Sequence, residues 1–200
     1  MRKLALCATV FSILVIATAA SAQQADAMFG FGTTLGSGTT SCNLVTCVVP
    51  EKGGLYTNIG ADVIFHRRFG IGFDAAWRTS QAAYGGDGGQ PYRPILFDFN
   101  GVYQPRINKK VGLDLMGGIG WQTTRFYLPY CTNNFTCNNY TSSNHFLMDA
   151  GAGLRYYAYG NLFIRPEFHF YHIVNNTDVF TNNNVFRVGG SIGYTIGGPN

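Results

Sequence analysis

Through most of this chain apolar residues recur at every second position, a strand period that a helix cannot use to bury one face. Leu55, Thr57, Ile59, Ala61, Val63 and Phe65 share one face, and Tyr56, Asn58, Gly60, Asp62 and Ile64 the other. The same alternation runs through 69–78, 95–104, 111–122, 145–156, 162–170 and 186–196. With a shorter stretch at 28–34, that makes eight strands. Pro166 interrupts one of them and predicts a defect in its ladder. The links alternate in length. Residues 66–68, 105–110 and 157–161 are short, whereas 35–53, 82–93, 126–144 and 175–184 are long and rich in Gly, Asn, Ser and Thr.

Most segments run about 9–13 residues, which suits a tilted membrane strand of about 9–11 better than a soluble strand of about 5–6. One face is almost free of charge. The other carries Asp62, Asp74, Arg78, Asp98, Asp114, Asp149, Arg155, Arg165, Glu167, His169 and Arg187. Alternation does not say which face is inside, so a soluble, lipocalin-like carrier with an apolar interior competes with a membrane barrel. Composition favours the membrane: charged residues are 12% of the 200, and only three Lys and two Glu follow residue 22. Gly recurs on the charged face, as a narrow lumen requires. Aromatics on the apolar face fall in two bands, as interfacial girdles do. Phe65, Phe69, Tyr103, Tyr156 and Tyr194 lie near the short turns, and Trp77, Trp121, Phe146, Phe170 and Phe186 near the long loops.

Met1-Arg2-Lys3, the apolar stretch from Leu4 to Ala20 and Ala20-Ser21-Ala22 form the three parts of a secretory signal peptide. Cleavage is expected after Ala22, which leaves residues 23–200 as one domain. Export makes disulfides the expected state of Cys42, Cys47, Cys131 and Cys137. Of three connectivities, Cys42–Cys47 and Cys131–Cys137 close the shortest loops and are favoured; zinc is the rival, but the spacings lack a CxxC knuckle. Arg and Lys are scattered, so no nucleic-acid footprint appears.

The whole exported chain resembles the small eight-stranded outer-membrane barrels, the OmpA/OmpX-like and opacity-type proteins. Its last strand, Arg187-Val188-Gly189-Gly190-Ser191-Ile192-Gly193-Tyr194, is similar to the insertion signal read by the outer-membrane assembly machinery, although the chain runs on past the aromatic residue to Asn200. The resemblance implies an all-β, up-and-down antiparallel transmembrane β-barrel with short periplasmic turns and long extracellular loops. It implies a monomer in contact with outer-membrane lipid and lipopolysaccharide.

An eight-stranded barrel is just wide enough to be filled by side chains, so the inward charges should meet as an ionic plug. Asp62, Asp74, Asp98, Asp114, Arg165 and Glu167 are expected at similar heights, with Arg155 close below. None of His66, His145, His169 and His172 has a Ser two residues later, the spacing of barrel-borne lipid A deacylases, and Glu167 and His169, an acid and a base on the inward face, are read as part of the plug. The reading is therefore a non-enzymatic envelope protein without cofactor, metal or catalytic residue. A narrow pore for ions or small solutes is one alternative. An adhesin acting through stapled loops, Cys131 to Ser143 above all, is another.

Overall fold

The alternating segments form eight long strands that close on themselves. The computed structural model describes residues 24–36, 38–42, 47–66, 68–84, 89–128, 130–131 and 137–197, with only the backbone of His66, Tyr130, Cys131 and Cys137. The expected signal peptide, residues 1–22, lies outside the described residues. The barrel strands are β1 (Gln24–Gly36), β2 (Leu55–His66), β3 (Phe69–Arg78), β4 (Gln90–Tyr103), β5 (Val111–Phe126), β6 (Thr141–Tyr159), β7 (Leu162–Ile173) and β8 (Asn184–Ile196). Each pairs antiparallel with its neighbours in sequence. β1 also pairs with β8, from Ala25 opposite Ile196 to Gly36 opposite Val185. Closure pairs both edges of the sheet, the condition for a β-structure to cross hydrocarbon.

The short turns are tight. His66 pairs with Phe69 across a turn in which Arg68 takes a φ of 86°. At the β6–β7 turn Gly160 takes a φ of 53°, a conformation that glycine adopts without steric cost. Several strands outrun their sequence pattern. β1 begins at Gln24 rather than Met28, and β4 begins at Gln90 despite Pro91 and Pro94. Ala82–Tyr84 pairs back onto the start of β4, so the expected loop 82–93 contains a hairpin. Pro166 leaves the predicted mark: β6–β7 pairing runs to Gly153 opposite Glu167 and resumes only at Tyr156 opposite Ile164, in the same register. A residue without an N–H cannot donate to that ladder.

The orientation of the wall decides between membrane barrel and soluble carrier. Ile71, Phe99 and Ile119 are 61%, 56% and 52% exposed on the outer face, whereas Asp98 and Asp114 are fully enclosed. The lipocalin-like alternative, with its apolar face inward, is therefore overturned. Inside, Tyr56, Ala76, Leu96, Leu147, Tyr171, Ile173 and Val185 form an apolar cluster in the extracellular half. Ile64, Val102 and Met116 form a smaller one nearer the short turns. The charged side chains pack against both.

The charged lumen and its mouth as candidate functional site

Alternation aims seven carboxylates (Asp26, Asp62, Asp74, Asp98, Asp114, Asp149 and Glu167) and the guanidiniums of Arg155, Arg165 and Arg187 into the lumen, all buried. Arg155 on β6 binds Asp26 Oδ2 at 2.5 Å and Asp114 Oδ2 at 2.9 Å, and lies over the Phe163 ring at 4.1 Å. Arg165 on β7 donates from Nε to Glu167 Oε2 at 2.9 Å, keeps Nη2 2.7 Å from the same oxygen, and reaches Asp114 at 3.3 Å and Asp62 at 3.5 Å. Glu167 also accepts from Asn58 Nδ2 at 3.1 Å and Ser191 Oγ at 3.3 Å. Arg187 Nη2 is 2.8 Å from Asp74 Oδ1, close enough for charge attraction although outside hydrogen-bond alignment. Asp98 stands opposite Asp74 in register and accepts from Asn100 Nδ2. Such charges tolerate burial only as a connected network.

The lumen's glycines make room for this network. A Cβ on Gly72 would lie 2.5 Å from Asp62 Oδ1 and 2.9 Å from Val102 Cγ2, and one on Gly153 would lie 3.0 Å from Arg165 Cγ. Below the arginines a cavity of about 50 Å³ opens toward the short turns, lined in part by Gln24, Gln104, Arg68, Arg106 and Arg155.

Some expected residues sit apart from the mid-lumen network. Arg78 lies at the extracellular mouth against Gly54. His169 does not pair with Glu167 as an acid–base couple: its Nδ1 is 3.1 Å from Asp149 Oδ2, while the arginines hold Glu167. The girdle aromatics Phe65, Phe69, Trp77, Tyr103, Trp121, Phe146, Tyr156, Phe170, Phe186 and Tyr194 all lie on outward positions of their strands. Phe69 stacks on Tyr103 at 4.5 Å, and Phe170 meets Phe186 at 5.1 Å. Cys42 and Cys47 are joined by a disulfide across a small hairpin. Cys131 and Cys137 are backbone partners, and their side chains lie outside the described residues.

Three groups were not read from the sequence. Asp26 anchors Arg155 and also accepts from Thr195 Oγ1 at 2.6 Å. Period-two counting back from Met28 would have reached it. Ser143 Oγ lies 2.7 Å from His145 Nε2, the reverse of the spacing searched for, and no acid among the described residues bonds the other ring nitrogen. Glu51, in the loop before β2, closes the mouth. Its carboxylate accepts from Gln122 Nε2 at 2.6 Å and Tyr56 Oη at 3.3 Å, and its N–H donates to Asn182 Oδ1 at 2.9 Å. Burial pushes the Glu51 carboxyl up to about 7, against the pull of the Gln122 and Tyr56 hydrogen bonds and the Arg78 charge. Phe180 from the β7–β8 loop packs beside it with Ala82 and Tyr92.

A closed eight-stranded barrel, apolar outside and ionic inside, with short turns at one end and long loops at the other, defines an outer-membrane barrel. The chain matches the outer membrane protein beta-barrel domain family over residues 10–196 and belongs to that family. Among solved structures it is similar to Ail, the attachment invasion locus protein of Yersinia pestis (14% identity, TM-score 0.55, covering 88% of this chain and 99% of that one). It is similar also to Neisserial surface protein A, at 7% identity and a TM-score of 0.60 over 86% of this chain and 96% of that one. OprG from Pseudomonas aeruginosa follows at 13% identity and 0.55, over 89% and 98%. No curated protein sequence matches the chain significantly. At such identities the likeness carries the fold, and the protein is an outer-membrane β-barrel.

Proposed function

We propose that this protein is a non-enzymatic, monomeric envelope barrel that supports outer-membrane integrity and presents its loops at the cell surface. It would be exported by cleavage after Ala22 and inserted by the outer-membrane assembly machinery through β8. The observation that carries the reading is the lumen: Arg155, Arg165 and Arg187, each within 3 Å of a carboxylate oxygen, cross the interior where a channel would run. In planar bilayers the wild-type chain is expected to give no discrete conductance steps. Arg165→Ala, which frees Asp62, Asp114 and Glu167 from one cation, is expected to give steps, and they should favour cations because lumen acids outnumber arginines. Steady steps from the wild type would replace the plug with a narrow pore.

A second reading, surface recognition through stapled loops, is favoured by the Ser41–Cys42 and Cys47–Val48 hairpin, whose Ser41, Cys42 and Cys47 are exposed beyond the rim. One structure of Ail holds the heparin analogue sucrose octasulfate, and a sulfated glycan is the corresponding ligand class to test here. Loss of matrix binding on deletion of residues 38–48, with the barrel still folded, would support it.

A further inference from the structure

On the outer wall above the aromatic band, Arg93 of β4 and Arg125 of β5 stand directly opposite each other in register. Both are outward positions: Arg93 continues the face of Ile95, Phe97 and Phe99, and Arg125 that of Thr123, Trp121 and Ile119. Like charges placed directly across a ladder repel. No carboxylate lies in ion-pair reach of either among the described residues. Among the described residues Arg93 donates from Nη2 to Thr79 O at 3.2 Å, and the buried Nε atoms of both arginines have no acceptor. Two tyrosines hold the pair in place. Arg125 lies over the Tyr140 ring at 4.9 Å and Arg93 over the Tyr127 ring at 6.0 Å, and the two rings are 6.2 Å apart.

We propose that Arg93 and Arg125, braced by Tyr127 and Tyr140, bind the phosphate of a phosphorylated outer-leaflet glycolipid of the lipopolysaccharide type. Neither guanidinium has an acid partner among the described residues, and the donors left beside the one Arg93 bond are the kind that a phosphate accepts in bidentate fashion. The position selects a lipid as the source. Phe97 and Trp121 face each other 5.8 Å apart two outward positions below the arginines, roughly 13 Å along the strands. Phe99 and Ile119 continue the apolar track one step further down. A phosphorylated sugar at the arginines would therefore have its acyl chains against this track. The site rests on the outer-membrane assignment and gives it one defined lipid contact.

The test uses the full chain refolded into phosphatidylcholine vesicles and titrated with diphosphoryl lipid A, followed by tryptophan emission. Trp121 and Trp77, which stands opposite Ile95, are the two reporters on this wall. A saturable change is expected, weakened at least tenfold in the Arg93→Gln/Arg125→Gln double variant and unaltered in Arg106→Gln at the opposite end. Phosphate-free lipid A should bind at least tenfold more weakly than the diphosphoryl form, and inorganic phosphate at the same concentration should leave the emission unchanged. Equal binding by the double variant, or by the phosphate-free lipid, overturns the proposal. A response to inorganic phosphate alone overturns the lipid as its source. Heat-dependent gel mobility separates a failed barrel from a folded barrel that lacks the site. If the double variant does not fold, the comparison of lipids on the wild-type chain decides.

Discussion

Glu51 is the residue whose chemistry is most open to experiment, because it is a buried acid in a loop outside the membrane wall. Its carboxyl is raised from 4.5 to about 7 by burial. A raised acid favours the protonated folded form, so its contribution to the closed mouth is fully present below pH 4.5 and is lost as pH rises through about 7. Hydrogen exchange of amides 49–54 should be equally slow in wild type and Glu51→Gln at pH 5. At pH 8 the wild type should exchange faster than the variant. Identical profiles at both values would show that Glu51 does not control the mouth. The sequence did not disclose this residue, since a loop acid is ordinarily solvated. Only the path of the loop brings it against Gln122 and Tyr56.

Among the elements, the strands and the loops divide the work differently. The strands were legible because a half-apolar strand has to alternate, and their ends were not. Gln24-Ala25-Asp26-Ala27 carries only small outward residues, so its membership of β1 is set by pairing with β2 and β8 rather than by its own pattern. Pro91 and Pro94 disguised the top of β4, and with it the cross-strand meeting of Arg93 and Arg125. The disulfide Cys42–Cys47 was legible because a short loop closes easily. The β7–β8 loop packs inward through Phe180, which is wholly enclosed, and it touches the loop before β2 where Thr181 N donates to Val49 O at 3.2 Å. Phe180→Ala should therefore open the mouth: protease cleavage in 174–183 is expected to rise severalfold. The barrel should keep its folded gel mobility, because the strands do not depend on this contact. A variant as resistant as the wild type would mean that the loop's hydrogen bonds, among them those of Asn176, Val179, Thr181 and Asn182, hold it without Phe180.

For the whole molecule, closure is the decisive event. A barrel whose β1 and β8 pair along their length unfolds only when many backbone hydrogen bonds break together, and it resists detergent until heated. Membrane-fraction protein is expected to shift in SDS gel mobility after boiling, and an unchanged mobility would contradict the closed barrel. The period of two by itself determined that the chain folds through strands, that one face is apolar and the other ionic, and which residues share each face. In the folded barrel the charged face lies inside, with Arg78 at its mouth. Which face meets lipid was decided by tertiary structure, because alternation is symmetric about the sheet until the sheet curls and one side becomes the interior. The partners were decided there too. Arg155 meets Asp26 from 129 residues away, and His169 takes Asp149 rather than Glu167, because distances across a lumen depend on stagger and closure that no single strand contains.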